Sequence, residues 1–260
     1  MQLSDKMEKL TLIKVGGKIV EEASTLKSLL EQFSKIPGNK VLVHGGGRSA
    51  TQVATQLGIE TKMVEGRRIT DEAMLKVVTM VYAGLVNKNI VAQLQANGIN
   101  SLGLTGADIN YMRSDKRKPN PIDYGFVGDV REVNTDILAD LIARGIVPVL
   151  SPITHDGKGN LLNTNADTIA QEAAVALAKR FDVSLIYCFE KDGVLKDEND
   201  DSSVIPLITK TDFEAYKADG TISGGMIPKL DNAFTAISKG VKEVVITSAN
   251  HILSGGTKIK

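Results

Sequence analysis

The stretch VLVHGGG at residues 41–47 joins a short strand-like run to three consecutive glycines. The β-branched, mostly apolar run is typical of a buried strand. Glycine lets a backbone approach a ligand closely, but three in a row are entropically costly without such a reason. The stretch therefore predicts a buried strand that ends at a ligand-binding turn.

Short β-branched runs alternate with longer helical patterns along the chain. Most of the predicted strands are apolar without alternation, as in a mainly parallel sheet covered by helices on both faces. These strands are LTLIKV (10–15), VLVH (41–44), SLGLTG (101–106), IVPVL (146–150), SLIYCF (184–189) and EVVITS (243–248). The predicted helices are 24–35, 49–57, 71–96, 134–144, 166–179 and 226–239. The pattern predicts one doubly wound α/β sheet flanked by helices.

Hairpin signals are found in three stretches, which we expect to project from the edge of this sheet. They are KMVEGRRIT (62–70), DYGFVGDVREV (123–133) and GKGNLLNTN (157–165). The polar, basic tract RSDKRKPNPID (113–123) contains two prolines, which favours a solvated loop. The 71–96 pattern starts with capping residues Thr70-Asp71 and stops before Asn97-Gly98, as expected for a helix.

Composition limits the function classes. The 260 residues are 42% hydrophobic, which is enough to fill a core. Lys+Arg and Asp+Glu both number 31, so the chain has no net positive charge that would attract nucleic acid or an anionic membrane. The single Cys188, expected in the core, excludes an intramolecular disulfide. The charged start MQLSDKMEKL lacks the apolar stretch of a signal peptide, and no apolar run reaches about 18 residues. We expect a globular cytosolic protein that binds neither nucleic acid nor membrane.

Glycine tracts follow three of the predicted strands, at the edge where open α/β sheets bind their ligands. They are Gly16-Gly17, Gly45 to Gly47, and Gly103 with Gly106. Free backbone N–H groups at such turns, together with the starts of the next helices, bind phosphate or carboxylate oxygens. The tracts predict an anion site, with His44 as a hydrogen-bonded histidine beneath the second turn.

Several anion-binding motifs can be compared with these tracts. The P-loop pattern is absent, because Gly17-Lys18 is followed by Ile19. GGGRSA satisfies G-x-G-x-x-A, and Glu65 lies 20 residues beyond Gly45, so a dinucleotide-binding oxidoreductase remains an alternative, although Glu65 falls in a predicted hairpin. HGGG occurs in esterases, but the chain lacks the G-x-S-x-G nucleophile motif.

Eight motifs, in order and spacing, resemble the amino-acid kinase family and within it the kinases of N-acetylglutamate. The resemblance runs from about residue 10 to the C-terminus. The motifs are IKVGG (13–17), VHGGG (43–47), GRRITD (66–71), YGFVGDV (124–130), VPVLSPI (147–153), LLNTNAD (161–167), GGMIPK (224–229) and GGTKI (255–259). Related kinases for aspartate, glutamate, carbamate or uridylate lack GRRITD together with NTNAD.

The resemblance implies transfer of the γ-phosphoryl of ATP to the side-chain carboxylate of N-acetylglutamate, in arginine biosynthesis. It implies one amino-acid kinase domain over residues 1–260. Residues from about 10 to 165 would hold the acylglutamate, and residues from about 166 to 260 the nucleotide. Mg²⁺ would arrive with ATP, held mainly by phosphates and water, because the motifs offer no carboxylate cluster as a protein metal site.

Three residues match the catalytic positions of the family. The resemblance implies that Lys229 meets the nucleotide-side phosphates, Lys14 the transferring group, and that Asp167 orients both lysines and keeps them protonated. A carboxylate acceptor, with an ordinary pKa of about 4.3, is already ionised at pH 7, so no general base is needed. Catalysis then depends on positioning and electrostatics. Asp167 could also cap the helix that follows, and the two roles are compatible.

The resemblance also implies binding residues for both substrates. On the substrate side these are Gly46 and Gly47 through their N–H groups, Arg68 and Asn163 at the α-carboxylate, and Asn165, although both asparagines also suit ordinary turns. On the nucleotide side they are Gly16, Gly17, Glu190, Lys191, Asp192, Gly193, Val194, Leu195, Thr221, Ile222 and Ser223. The family usually has Asp at position 190, which leaves the contact made by Glu190 open.

Arg67 departs from the family, which usually carries Leu or Met there, facing the acetyl methyl group. The guanidinium either turns to solvent or meets an acidic group in the acyl pocket. Some bacteria make arginine through N-succinylated intermediates, whose extra carboxylate would need a cation. We therefore keep N-succinylglutamate as an alternative substrate, with Arg67 as a substrate-binding residue.

A regulatory module that binds nucleotide or amino acid without turnover is an alternative of another class. The presence of Lys14, Asp167 and Lys229 favours turnover, since a pure binder has no use for a transition-state charge clamp. Arginine-inhibited members carry an extra N-terminal helix that links dimers into hexamers, whereas nine residues precede the first predicted strand here. We therefore expect an arginine-insensitive homodimer, with the 71–96 helix as either a dimer element or a core helix.

Overall fold

The computed structural model describes residues 7–260. Its strands are β1 (Lys9–Val15), β2 (Asn39–His44), β3 (Met63–Val64), β4 (Arg67–Arg68), β5 (Ser101–Leu104), β6 (Met112–Lys116), β7 (Gly128–Val133), β8 (Val147–Leu150), β9 (Ile153–His155), β10 (Leu161–Asn163), β11 (Asp182–Phe189), β12 (Leu207–Ile208), β13 (Glu243–Ser248) and β14 (Thr257–Ile259). Its α-helices are α1 (Gly17–Glu21), α2 (Ala23–Lys35), α3 (Gly47–Gln56), α4 (Glu72–Val78), α5 (Asn87–Ala96), α6 (Thr135–Ala143), α7 (Ala166–Leu177), α8 (Lys210–Ala218) and α9 (Met226–Ser238). The expected lack of a signal peptide rests largely on residues 1–6, which lie outside the described residues.

An eight-stranded sheet forms the centre of the molecule, in the order β12, β14, β13, β11, β1, β2, β8, β5. Neighbouring strands are parallel except for the antiparallel pair of β13 and β14. All six strands predicted from apolar runs lie in this sheet. The predicted mainly parallel α/β architecture is therefore confirmed.

Alternation along the central strands sends neighbouring side chains into two different cores. In β1, Leu12 packs into the core that contains α7 and α9, whereas Ile13 packs into the core that contains α2, α4 and α5. In β2, Val43 and Leu42 divide between the same two cores. Lys14 therefore shares the α7 and α9 side with Leu12, while the last residue of β2 faces the α5 side.

A second sheet, in the order β10, β9, β6, β7, contains two of the stretches that were expected at the edge of the main sheet. Antiparallel pairing of β9 with β10 and of β3 with β4 confirms two predicted hairpins. The third stretch, 123–133, contributes only one strand, β7, which pairs antiparallel with the preceding strand β6 outside the stretch. The predicted solvated loop is wrong over its first residues, which belong to β6. Cross-strand pairing of opposite charges, such as Arg113 with Glu132 at 2.8 Å, stabilises this polar strand.

The helical run predicted over 71–96 contains a π-helical turn, Thr79–Val86, between α4 and α5. The Asp71 side chain caps its start by accepting a hydrogen bond from the Met74 N–H at 2.8 Å, and Gly98 follows its end with a φ of 76°. The run Glu72–Ala96 is long enough to span a membrane, and the mean hydropathy of an 18-residue window within it is 1.2, which would suit such a span by composition alone. The apolar stripe packs into the domain core instead, which makes this a core helix; its buried members are Met74, Val77, Val78 and Val81. Leu85, another apolar residue of this run, is 53% exposed. The expected homodimer, to which this helix could contribute, stays a prediction.

Candidate functional site

Lys14, near the end of β1, forms an ion pair with Asp167. Its Nζ lies 2.7 Å from Asp167 Oδ1, and the lysine side chain is only 8% exposed. Asp167 lies in the first turn of α7, where the helix dipole favours a negative charge. The structure thus brings together two of the three predicted catalytic residues.

Lys229, in the first turn of α9, shares an aromatic ring with Lys14, because both ammonium groups lie over the side chain of Phe189. Its Nζ lies 3.9 Å from the centroid of Phe189, and the Nζ of Lys14 lies 5.4 Å from the same centroid. Burial lowers the pKa of Lys229, the charge of Asp167 raises it, and the charge of Lys14 lowers it. Two ammonium groups and one carboxylate make a partly desolvated region of net positive charge, which suits anionic oxygens.

Two glycine turns meet next to these charges. The N–H of Gly16 donates to Cys188 at 3.2 Å, and the N–H of Gly45 donates to Val15 at 3.0 Å, so both turns continue the hydrogen-bond ladder of the sheet. A Cβ placed on Gly17 would lie 3.6 Å from the backbone nitrogens of both Gly46 and Gly47. The turns therefore pack backbone against backbone, and the free N–H groups at the start of α3 can receive an anion.

Arg68 and Asn163 face the same region from other elements. Arg68 is buried, and its Nη2 donates to the carbonyl of Gly47 at 2.7 Å and to Thr51 Oγ1 at 2.9 Å. The side-chain nitrogen of Asn163 donates to Thr70 Oγ1 at 2.9 Å. These bonds hold a guanidinium and a carboxamide beside the glycine turn, as recognition of a carboxylate requires.

A cavity of about 680 Å³ unites most of the predicted substrate and catalytic residues. It is bounded by the glycine turn, the β3–β4 hairpin, the start of α7 and the start of α9. The predicted residues that line it are Gly46, Gly47, Arg67, Arg68, Asn163, Asn165, Asp167 and Lys229.

The predicted nucleotide residues lie at the same end of the sheet but outside the lining of this cavity. The stretch 190–195 follows β11, and the stretch 221–223 precedes α9. Glu190 Oε2 lies 2.7 Å from Lys18 Nζ, and this hydrogen bond, with the charges of Arg48 and Lys229, lowers the pKa of Glu190.

Several of these nucleotide-side groups are already engaged within the protein. Val194 and Ile222 belong to the hydrophobic core, so a nucleotide would meet their backbone rather than their side chains. Lys191 pairs with Asp201 at 2.6 Å. The contacts of 190–195 and 221–223 with a nucleotide stay predictions.

Arg117 and Asp129 also line the cavity, although neither was predicted as a site residue from the sequence. Arg117 Nε lies 3.1 Å from Asp129 Oδ1 and 3.2 Å from Oδ2, and this hydrogen-bonded pairing raises the pKa of Arg117. The pair crosses from the end of β6 to β7. Alternating charges in 113–117 that complement those in 129–132 were the available signal.

Asn165 caps α7, because its Oδ1 accepts from the N–H of Asp167 at 2.7 Å and of Thr168 at 3.3 Å. We expect Asn165→Ala to lower the free energy of unfolding by about 1 kcal/mol, since such caps contribute that much. Asn165→Ser should retain most of the stability that the cap contributes, because serine can accept the same hydrogen bonds. Urea denaturation measures both, and equal losses in the two variants would contradict the cap.

The sequence profile described as the amino acid kinase family matches residues 9–248. The chain belongs to the amino acid kinase family. It is 68% identical over 254 residues to acetylglutamate kinase from Bacteroides thetaiotaomicron, which covers 97% of this chain and 99% of that relative. It is 66% identical over 260 residues to acetylglutamate kinase from Bacteroides fragilis, which covers 99% of this chain and 100% of that relative.

A solved structure supports the same assignment of fold. The crystal structure of smu.665 from Streptococcus mutans superposes with a TM-score of 0.78 at 28% identity, covering 96% of this chain and 98% of that chain. Membership of the amino acid kinase family removes the dinucleotide-binding alternative. The fit of GGGRSA to that fingerprint reflects a shared use of glycine at a strand-to-helix turn.

Proposed function

We propose that this amino acid kinase transfers the γ-phosphoryl group of ATP to the side-chain carboxylate of N-acetylglutamate. The observation that carries the proposal is the cluster of Lys14, Asp167 and Lys229 beside a cavity that also holds Arg68. Relatives named acetylglutamate kinase, at 66% and 68% identity over nearly the whole chain, support this substrate. The product would be the 5-phosphate of N-acetylglutamate, an acyl phosphate of arginine biosynthesis.

The reaction needs charge compensation rather than proton transfer. An oxygen of the ionised carboxylate attacks the γ-phosphorus, and the bond from that phosphorus to the bridging oxygen of ADP breaks. Lys14 would neutralise the transferring group, Lys229 the leaving phosphates, and Asp167 would hold both ammonium groups in place. The N–H groups of Gly46 and Gly47 would bind oxygens on the acceptor side. No proton is transferred in the chemical step.

The donor set suits a metal that arrives with the nucleotide. Among residues 7–260 no group of three or more His, Cys, Asp and Glu side chains is placed to hold a metal. Asp167, the carboxylate of the charged cluster, is already paired with Lys14 at 2.7 Å. We propose that Mg²⁺ is held mainly by the phosphates of ATP and by water, adding positive charge there.

We also propose that the two halves of the chain divide the substrates. Residues from about 10 to 165 supply the glycine turns, Arg68 and Asn163 and would hold the acylglutamate. Residues from about 166 to 260 supply Lys229 and the predicted nucleotide stretches and would hold ATP. Phosphoryl transfer would then take place where Lys14 and Asp167 meet.

Coupled measurement of ADP release tests the activity. We expect ATP turnover to be stimulated by N-acetylglutamate and much less by glutamate or aspartate, which lack the acyl group. If the protein binds ATP and no acylated amino acid stimulates ADP release, it is a regulatory module. If only another acid stimulates release, the substrate assignment is wrong.

A specific observation favours a second candidate substrate, N-succinylglutamate. Arg67 lines the cavity together with Arg68 and Arg117. Arg117 is neutralised by Asp129, and Arg68 is predicted to bind the α-carboxylate. Arg67 makes no ion pair within the described part of the chain, residues 7–260. A second carboxylate on the acyl group would provide its partner.

Arg67→Leu tests this candidate. If N-succinylglutamate is the substrate, the wild type prefers the succinyl compound, and the substitution lowers the ratio of kcat/KM for succinyl over acetyl by about 10- to 100-fold. The reason is that a charge-assisted hydrogen bond contributes about 1.5–3 kcal/mol. Steady-state kinetics with both compounds measures the ratio.

Arg131→Leu is the matched control, because Arg131 pairs with Asp115 at 2.9 Å on the second sheet, away from the cavity lining. It should leave the ratio unchanged. A wild type that favours the acetyl compound, with the same ratio in Arg67→Leu, would make Arg67 a surface charge and leave N-acetylglutamate as the substrate.

A further inference from the structure

His44, the last residue of β2, is buried, and both of its ring nitrogens have partners. Its Nδ1 lies 2.8 Å from the carbonyl oxygen of Gly45, and its Nε2 lies 3.0 Å from Nδ2 of Asn87. Burial lowers the pKa of His44 to about 4, so the ring is neutral at pH 7. A neutral imidazole has one donor and one acceptor, and its partners decide which nitrogen carries the proton.

The neighbours of Asn87 fix the orientation of its carboxamide. The Nζ of Lys88, which can only donate, lies 3.1 Å from Oδ1, and the carbonyl of Val149, which can only accept, lies 3.0 Å from Nδ2. Nδ2 therefore donates both to Val149 and to Nε2 of His44. The proton of His44 must then lie on Nδ1, which donates to the carbonyl of Gly45.

The bond from His44 to Gly45 orients the next amide group. A peptide group is planar and trans, so the carbonyl of Gly45 and the N–H of Gly46 point in opposite directions. Since His44 lies on the α5 side of the sheet, the N–H of Gly46 points away from that side. It donates to no protein acceptor within residues 7–260, and Gly46 lines the cavity. This N–H is available to an anionic ligand.

The π-helical turn Thr79–Val86 places Asn87 beside His44. The backbone N–H of Asn87 donates to the carbonyls of Gly84 and Tyr82, three and five residues earlier, whereas a regular α-helix would use the carbonyl four residues earlier. Tyr82 meets the same glycine turn, because a Cβ on Gly46 would lie 3.0 Å from its ring. Turns of this kind inside α-helices are frequent at functional sites.

We propose that His44 and Asn87 are positioning residues for phosphoryl transfer. Asn87 sets the Nδ1–H tautomer of His44, and His44 holds the Gly45 carbonyl so that the N–H of Gly46 is aimed at an anionic oxygen of the reacting groups. This inference rests on the proposed kinase function. Neither side chain would touch a substrate, and both would act through the backbone of the glycine turn.

The pair His44→Asn and His44→Gln tests the proposal. The amide nitrogen of asparagine can take the place of Nδ1 and donate to Gly45, whereas that of glutamine reaches the place of Nε2. We expect His44→Gln to lower kcat by about 10²-fold with little change in KM for ATP, since a displacement of about 1 Å has effects of that size. His44→Asn should keep most of the wild-type kcat.

His155→Gln is the matched control, because His155 lies on β9 outside the cavity lining, and its kcat should equal that of the wild type. Urea denaturation of each variant separates stability from catalysis. Equal kcat values in His44→Gln and His44→Asn, whether both wild-type or both reduced, would overturn the proposal. A change in KM for ATP in His44→Gln, with kcat unchanged, would also overturn it.

A spectroscopic measurement tests the tautomer independently of activity. Long-range ¹H–¹⁵N spectra of the wild type should show one histidine protonated at Nδ1 only from about pH 6 to about pH 8. Its signal should be missing in His44→Asn. Protonation at Nε2 would refute the inference even in an active enzyme. A wild type without ADP release would refute the proposed function, while the spectrum would still decide the tautomer.

Discussion

Lys14→Ala and Lys229→Ala are each expected to lower kcat by about 10²–10³-fold while the affinity for ATP changes much less. A cation that acts mainly on charge developing in the transition state appears in kcat, and loss of one such preorganised donor has effects of that size. Both ammonium groups lie near the Phe189 ring and share Asp167, so each substitution removes half of the positive charge of the cluster. Steady-state kinetics together with equilibrium ATP binding measures the two effects.

Lys242→Ala is the control for this experiment. Lys242 also pairs with an aspartate, Asp182 at 2.5 Å, but at the opposite end of β11 from the glycine turns. Its removal should leave kcat unchanged. A loss in Lys14→Ala or Lys229→Ala that is confined to KM would mean that the lysine contributes binding alone, contrary to its proposed role.

Asp167→Asn is expected to have the second large effect, a decrease in kcat of about 10²-fold. The substitution keeps the size of the side chain and removes the charge that holds the two lysines, so the cluster loses its electrostatic preorganisation. The cap of α7 is supplied by Asn165, not by Asp167, and the fold should survive. Steady-state kinetics and urea denaturation together test this expectation.

The same substitution should change the pH dependence. Burial lowers the pKa of Lys229 and the charge of Asp167 opposes this lowering, so without Asp167 the pKa falls further. Lys229 is active as a cation, and its charge is lost as pH rises through its pKa. The alkaline limb of the kcat profile should therefore move to lower pH in Asp167→Asn.

Asp182→Asn controls for the loss of a paired aspartate elsewhere, and its profile should match that of the wild type. An alkaline limb that stays in place in Asp167→Asn would show that Lys229 does not set it. That result would separate the role of Asp167 from the protonation of Lys229.

Much of the candidate site could be proposed from sequence because its residues lie in short motifs that resemble those of the family. Lys14 lies near the end of an apolar strand that runs into two glycines, and Asp167 lies at the start of a helix shortly after Asn163 and Asn165. These short motifs contain both the reactive group and the turn that presents it. Arg117 was missed because it lies in a polar tract, and its contact with Asp129 depends on which strand β6 pairs with.

The sequence by itself determined the class of fold and the edge of the sheet where the site lies. Continuous apolar runs require burial on both faces, and glycines at strand ends require a close backbone approach. These are properties of a few consecutive residues, so the printed sequence is sufficient to recognise them.

Only the tertiary structure decided which strands are neighbours, and therefore which side chains meet. No local sequence pattern predicts that β1 lies between β11 and β2, yet that order brings Lys14 beside Phe189. No local pattern predicts the π-helical turn that places Asn87 beside His44. Pairing and packing are non-local, since they depend on the shapes and charges of segments that are distant in sequence, and local periodicity carries no record of that choice.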